Sequence, residues 1–455
     1  MPVTFREVLS SQPLRTFSVI TFIICAIVLV ADGMDAQLLG IVAPLIIDEY
    51  GIERGTFGIA MSSALVGFGL GSLGGGWLGD NPAVGRRWAL ALAATVFSLG
   101  TIAASTSGDV WQMAIWRLVS GLGFGAAYAL AITMLGEWLP DRWRSVGITT
   151  ISVGTPAGGL VVSAMAPTLV ESYGWRGSFV FLGILTFLVV IAIIVFLRDS
   201  PTFLLARGKV EEAKKAALKV SSAVHDLIPE GHDTDTEAGG TIGVFHRSNL
   251  RLNVGVGLAF TAATGVAYGV LNWTTTLLTG KGFEFDEASY AVAVAGMTSI
   301  FASIAAGLVI QQFGSKRVMA TYSGSLAVVL IVLMFTVESL SAVPDDGERL
   351  TVVVLIGIAA ALFSASIASM YAIMTHAYPP TCRAVGIGFG IFMARFGAIA
   401  SSAFGGALLD IGDGSTVPFF GVLCLGALLI SAAAFVIDRP IPPVSKQVTP
   451  TPETV

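Results

Sequence analysis

Asp32 and Asp35 interrupt an apolar stretch that runs from Phe17 to Ile47, inside the segment ADGMDAQLLG. Three residues apart, they share one face of a helix, and Gly33 between them leaves room for a neighbouring element to come close. A carboxylate in a membrane helix costs roughly 2.5–3.5 kcal/mol on insertion scales, so it is paired, faces a cavity or takes up a proton. Burial disfavours the charged form of a carboxyl, and a like-charged neighbour disfavours it further. The chemistry this offers is reversible protonation. The alternative is a structural hydrogen-bond knot that ties the segment to its neighbours.

Two cations lie in similarly apolar surroundings. Arg117, in RLVSGLGFG, is the natural counter-charge, because a guanidinium stays protonated and holds a nearby carboxylate ionised until a proton or an anion competes. A purely structural pair with an acid is the other reading of the same residue. Arg395, in GFGIFMARFGAIASS, has no acid inside the ninth to eleventh apolar segments except at their ends. That favours the carboxylate of a bound ligand as its partner over a structural role. Tyr268, Asn272 and Trp273 in AYGVLNWTTTLL, with Tyr371 and His376 further on, could stack on a ring or reach a ring hydroxyl. Taken singly, Trp and Tyr near segment ends read as interfacial anchors. Glu137, in GEWLPDRWR, reads as a salt-bridge partner of Arg142 or Arg144.

The elements that must position these residues follow from composition. Of 455 residues, 54% are hydrophobic and 12% charged, about half the charge of an ordinary globular domain. Runs of about 20 apolar residues occur at 17–41, 57–79, 86–107, 111–139, 145–172, 176–197, 252–279, 287–313, 316–337, 350–378, 384–411 and 416–437. The expected fold is an all-α membrane protein with twelve transmembrane helices. The polar N-terminus leads into a full-length span, so no cleavable signal is expected. With the N-terminus inside, Arg54, Arg176, Lys281 and Arg349 fall outside, Arg117 and Arg395 fall within spans, and the other Lys and Arg fall on the cytoplasmic side. Both termini are therefore expected in the cytoplasm.

The longest polar interruption divides the chain into a six-helix bundle over 1–197, a cytoplasmic linker over 198–251, a second six-helix bundle over 252–437 and a tail over 438–455. The linker holds His225, His232 and His246, read as solvated. Cys25, Cys382 and Cys424 match no metal spacing and read as small apolar fillers, so neither a metal nor a cofactor is expected. GLGFG sits in an apolar span, lacks the Lys-Ser/Thr of a nucleotide loop, and reads as helix packing.

The halves look like repeats. GGWLGDNPAVGRRWAL follows the second span and AAGLVIQQFGSKRVMA the eighth. Each places a Gly (Gly76, Gly307), an acid or amide four residues on (Asp80, Gln311), and a turn with Gly and two cations: Gly85, Arg86 and Arg87, then Gly314, Lys316 and Arg317. These residues read as conformational loops, with Asp80 beside Arg86 able to form a charge relay.

The six-plus-six division and these loops resemble the major facilitator superfamily, whose signature here runs Gly-x-x-x-Asp-Arg/Lys-x-Gly-Arg-Arg/Lys. This chain departs from it with two extra residues before Gly85, Asn81 in place of a cation, and Gln311 in place of the second acid. DGMDAQLLGIVAPLI, RLVSGLGFGAAYALAITMLGEWLPDRWRSVGI, YGWRGSFVFLG, RDSPTFLLARGK and MARFGAIASSAFGGALL are similar to the aromatic acid:proton symporter family. Ser401 and Ser402 stand where relatives often carry Gly-Pro.

The resemblance implies a monomeric, multi-pass transporter of the plasma (inner) membrane, with no enzyme activity and no nucleic-acid partner. It would import small aromatic carboxylates of the benzoate or hydroxybenzoate type with protons, by alternating access between two pseudo-repeat bundles. Asp32, Asp35 and Arg117 would serve proton coupling, and Arg395 with the aromatic and amide groups of the seventh and tenth spans would bind substrate. The alternatives are a proton symporter of aliphatic organic acids, a drug or metabolite exporter of the same fold, and a transport-silent receptor that binds its ligand without moving it.

Overall fold

The computed structural model describes residues 3–80, 84–140, 143, 147, 153–205, 207–221, 227–228, 244–341, 343–378 and 382–443. Among them lie fourteen helices. In the first half these are α1 (Phe5–Ser11), α2 (Thr16–Tyr50), α3 (Arg54–Asp80), α4 (Arg86–Ala104), α5 (Val110–Trp138), α6 (Gly154–Phe196), α7 (Pro201–Leu205) and α8 (Val210–Ala217). The second half adds α9 (Leu250–Thr279), α10 (Phe285–Phe313), α11 (Ser315–Glu338), α12 (Asp346–Ala377), α13 (Arg383–Ile411) and α14 (Val417–Val436). Two short strands, β1 (Val3–Thr4) and β2 (Leu227–Ile228), pair in parallel.

Helices dominate because hydrocarbon offers backbone amides no partner, and a helix satisfies them internally. Eleven helices among the described residues are long and apolar enough to cross a membrane. One of them, α6, has 43 residues, about 65 Å of helix against a hydrocarbon core of about 30 Å. Gly174 divides it, with φ 66° and ψ 177°, a positive φ that a side chain would resist. The two arms match the fifth and sixth expected spans, so α6 supplies two of the twelve crossings.

The chain forms two compact units. The first comprises residues 1–39 and 63–239, the second 40–62 and 240–455. The core of the first gathers Val28 and Leu29 of α2, Ala94 of α4, Met134 and Trp138 of α5 and Ile193 of α6. That of the second gathers Val256 and Phe260 of α9, Met370 and Met374 of α12 and Ile430 of α14.

Small residues let these helices cross closely, as lipid-solvated packing requires. In GLGFG, a Cβ on Gly121 or Gly125 would lie 2.1 Å from a carbonyl oxygen of α3, and one on Gly123 would lie 2.3 Å from the Phe97 nitrogen of α4. The alternating glycines thus serve two neighbours of α5 at once.

Candidate functional site

Within the first unit, α2, α4 and α5 converge on one carboxylate. Asp35 is 4% and Arg117 1% exposed. The Arg117 Nη1 donates to Asp35 Oδ2 at 2.7 Å, and the Thr101 hydroxyl donates to Asp35 Oδ1 at 3.0 Å. Each carboxylate oxygen therefore has a donor, one charged and one neutral. The guanidinium carbon of Arg117 lies 5.8 Å from the centre of the Phe179 ring, within cation–π range. Its buried Nε has no hydrogen-bond partner among the described residues. The pair is ionic, almost dry and held from three helices, so its strength depends on Asp35 being ionised.

Asp32, half-buried one turn earlier, accepts a longer hydrogen bond from the Thr155 hydroxyl of α6, at 3.4 Å. Gly33 makes this crossing: a Cβ there would stand 1.9 Å from the Thr155 carbonyl oxygen. The close approach expected of this glycine is therefore a helix crossing. Beside it, Ala31, Phe68, Phe97 and Phe124 form a buried apolar cluster against which Tyr128 packs.

The conformational loop of the first unit is held by charge. Gly85 caps α4 with φ 82° and ψ 159°. The Arg87 amide donates to Asp199 Oδ1 at 2.8 Å, and its guanidinium donates to the Ile194 carbonyl. Arg86 forms an ion pair with Glu137. Glu137 thus meets the loop cation, whereas the sequence reading assigned it to Arg142 or Arg144. The side chains of those two arginines, of Asp80 and of Gln311 lie outside the described residues, as do His225 and His232.

The equivalent loop of the second unit has nearly the same backbone and different partners. Gly314 has φ 80° and ψ 148°. The Ser315 amide donates to the Ile441 carbonyl at 3.0 Å, and the Ile441 amide donates to the Ser315 hydroxyl at 2.8 Å. Arg439 in the same tail segment donates to Asn249 Oδ1 and to the Ala377 and Ser248 carbonyls. Lys316 and Arg317 are exposed, the ammonium of Lys316 lying 5.0 Å from the centre of the Phe435 ring.

The remaining site candidates all fall in the second unit and differ in setting. Arg395 lies midway along α13, partly exposed, and Tyr268 of α9 is partly exposed as well. Tyr371 of α12 is 39% exposed, with its ring edge-on to Phe260 at 5.1 Å. Asn272 is buried and donates to the Ser402 hydroxyl at 2.9 Å. Trp273 is fully buried, its indole N–H on the Ser401 carbonyl at 3.3 Å. The Ser402 hydroxyl and the Ser401 backbone carbonyl thus tether α13 to α9. His376 is exposed in the last turn of α12. His246, also exposed, bonds Ser248 at 2.8 Å.

The sequence reading missed Thr101, Thr155, Phe179 and Asp199, and no local signal marks the first three. A membrane hydroxyl ordinarily bonds a carbonyl one turn back, as Thr95 does to Ala91 in the same helix as Thr101.

The sequence profile of the Major Facilitator Superfamily matches residues 25–344 and 258–454, most of the chain. The chain belongs to the Major Facilitator Superfamily. It is a multi-pass membrane transporter, not an enzyme. It is 26% identical to the 4-hydroxybenzoate transporter PcaK of Pseudomonas putida, over 90% of each chain. To the gallate transporter of the same species it is 27% identical, over 92% of this chain and 91% of that one. The benzoate transport protein of Acinetobacter baylyi is 23% identical, over 98% and 96%. Among solved structures, the partially occluded inward-open xylose transporter XylE from Escherichia coli superposes with a TM-score of 0.71 at 15% identity, covering 93% of this chain and 98% of that one. That likeness carries the fold.

Proposed function

We propose that this protein imports small aromatic carboxylates of the benzoate or hydroxybenzoate type together with protons, by alternating access. The observation that carries the coupling is the buried pair of Asp35 and Arg117, 2.7 Å apart. A resident carboxylate held ionised by an arginine in a dry site resists movement while charged, and taking up a proton releases it. Asp32, half-buried on the same face, stands one turn away as the second proton-carrying group. The relatives named for 4-hydroxybenzoate, gallate and benzoate support the substrate class.

In the second unit, Arg395 is the cation suited to the substrate carboxylate, because a planar guanidinium matches a carboxylate with paired donors. Tyr268 and Tyr371 are the partly exposed rings on that unit's α9 and α12 that can meet an aromatic acid. Asn272 and Trp273 act behind them, by fixing α13 against α9. Substrate anion and proton together leave a site with less net charge than either state alone, and the transporter cycles between its states in that condition.

The test is uptake of radiolabelled benzoate and 4-hydroxybenzoate into proteoliposomes, with and without an inward proton gradient, for wild type and Asp32→Asn. Gradient-stimulated uptake that the variant loses is expected. Uptake indifferent to the gradient would sink the coupling. Inhibition by an aliphatic dicarboxylate stronger than that by benzoate would overturn the substrate class, and net extrusion would overturn the direction.

A further inference from the structure

Thr101 is fully buried in the last turn of α4, and its hydroxyl, like that of Thr155 on Asp32, meets a carboxylate of α2. The hydroxyls of Thr95, Thr133, Thr186 and Thr274 each donate to the carbonyl four residues before in their own helix. Such local bonds satisfy a hydroxyl without reference to any other element. Thr101 instead donates across to α2, onto Asp35 Oδ1 at 3.0 Å. Arg117 holds the other oxygen of the same carboxylate.

We propose that Thr101 is a positioning residue for proton coupling, setting the pH at which Asp35 exchanges its proton. The inference rests on the proton-coupled reading given above. A hydroxyl is both donor and acceptor. Towards the ionised carboxylate it donates, which favours the charged form. When a proton arrives on Oδ1, the acid becomes the donor and the Thr101 oxygen accepts it, so the site stays hydrogen-bonded in both states. No other atom changes hands. The proton enters and leaves between Asp35 Oδ1 and Thr101 Oγ1, while Arg117 stays charged on the far oxygen.

The charged groups around this switch are few. Arg117 faces it from α5, and Asp32 stands one turn before it on α2. The charged residues of α4, Arg86 and Arg87, lie at that helix's far end, and those of α6, Glu171 and Arg176, flank Gly174. Thr101 is therefore the neutral group through which the pH response of Asp35 can be changed without altering a charge.

The experiment compares wild type, Thr101→Val and Thr101→Ser in proteoliposomes, measuring uptake of labelled 4-hydroxybenzoate from external pH 5.5 to 8.5 under a constant gradient. Valine keeps the shape and removes the donor. The lost bond is stronger to the carboxylate than to the neutral acid by about 1 kcal/mol, so valine should move the alkaline limb of uptake upward by roughly 0.5–1 pH unit, and serine should restore the wild-type limb. Exchange of labelled for unlabelled substrate at saturation on both sides moves no net proton, and reports whether each variant still folds and binds substrate. If valine impairs exchange as well, the same prediction passes to Thr101→Ala against Thr101→Ser. A valine or alanine limb that superimposes on wild type would overturn the role of Thr101 alone. Absence of gradient stimulation in wild type would overturn the coupled reading itself.

Discussion

The two units carry the same loop and lock it differently. Gly85 and Gly314 share a backbone conformation to within about a dozen degrees, and each precedes a helix that begins with paired cations or a Ser and two cations. Around Gly85 the partners are Asp199, Glu137 and the arginines themselves. Around Gly314 they are the backbone and hydroxyl of Ser315 with the tail residue Ile441. The same division appears in mid-span. The first unit centres on Asp35 and Arg117, whereas α9 and α13 of the second are joined through Asn272 to Ser402, Trp273 to the Ser401 carbonyl, and Thr264 to the Ala394 carbonyl. At the end of α12 the buried Tyr378 hydroxyl donates to Asn253 Oδ1 at 2.7 Å. Among the described residues, the buried mid-span ion pair belongs to the first unit. The ion pairs of the second, Lys281 with Glu338 and Arg349 with Glu287, lie at helix ends, and Arg395 is its mid-span cation.

Breaking the ionic half should have the largest effect. Arg117→Gln leaves Asp35 buried without its counter-charge, a loss of about 3–5 kcal/mol, and should abolish uptake and lower the thermal midpoint in detergent sharply. Asp35→Asn in the same chain should recover part of that stability and none of the coupling, because the desolvated charge is gone. Arg395→Gln sharpens the contrast. Being partly exposed, it should lower the thermal midpoint much less than Arg117→Gln does while raising KM at least about tenfold, the loss of one charge-assisted hydrogen-bonding group. Equal thermal losses in both variants would erase the distinction between the halves.

How much of this was legible in the sequence depends on the kind of force involved. The spans were legible because lipid solvation acts on composition, and even the break at Gly174 fell between two expected spans. The Asp35 and Arg117 pair was legible because opposite charges in hydrocarbon must meet. Thr101 was not, since its hydroxyl would be satisfied equally well by its own helix, as that of Thr95 is. Trp273 read the same as a stacking surface or as core, and only its seat on the Ser401 carbonyl separates the two. Glu137 had several cations nearby in sequence, and the loop geometry chose Arg86. The tail segment DRPIPP carried no signal because its hold on Ser315 is made partly by backbone.

A smaller effect distinguishes the loop locks. Asp199→Ala removes the acceptor at the start of α4, worth about 0.5–2 kcal/mol for a helix N-terminal acceptor. Ser315→Ala removes the acceptor of the Ile441 amide, worth about 0.5–1.5 kcal/mol. The two should be told apart by salt. Raising ionic strength from 0.05 to 1 M shortens the screening length from over 10 Å to about 3 Å. The deficit of Asp199→Ala relative to wild type should shrink, while that of Ser315→Ala should hold. Thermal melts of both variants at the two salt concentrations measure this directly.

The smallest expected effect concerns His376. Its place in the last turn of α12 fits a helix C-terminus, where a group able to carry positive charge is favourable by about 0.3–1 kcal/mol. Exposure reduces that further, so His376→Ala should change stability by less than about 0.5 kcal/mol. A substrate contact behaves differently. Removing a hydrogen-bonding group from a ligand raises KM several-fold or more, because the ligand's polar atom is left unsatisfied. The variant's KM for 4-hydroxybenzoate is expected to stay within twofold of wild type. A tenfold rise would extend the binding site along α12 from Tyr371 to the helix end, and would place a titratable group in the substrate site of the second unit.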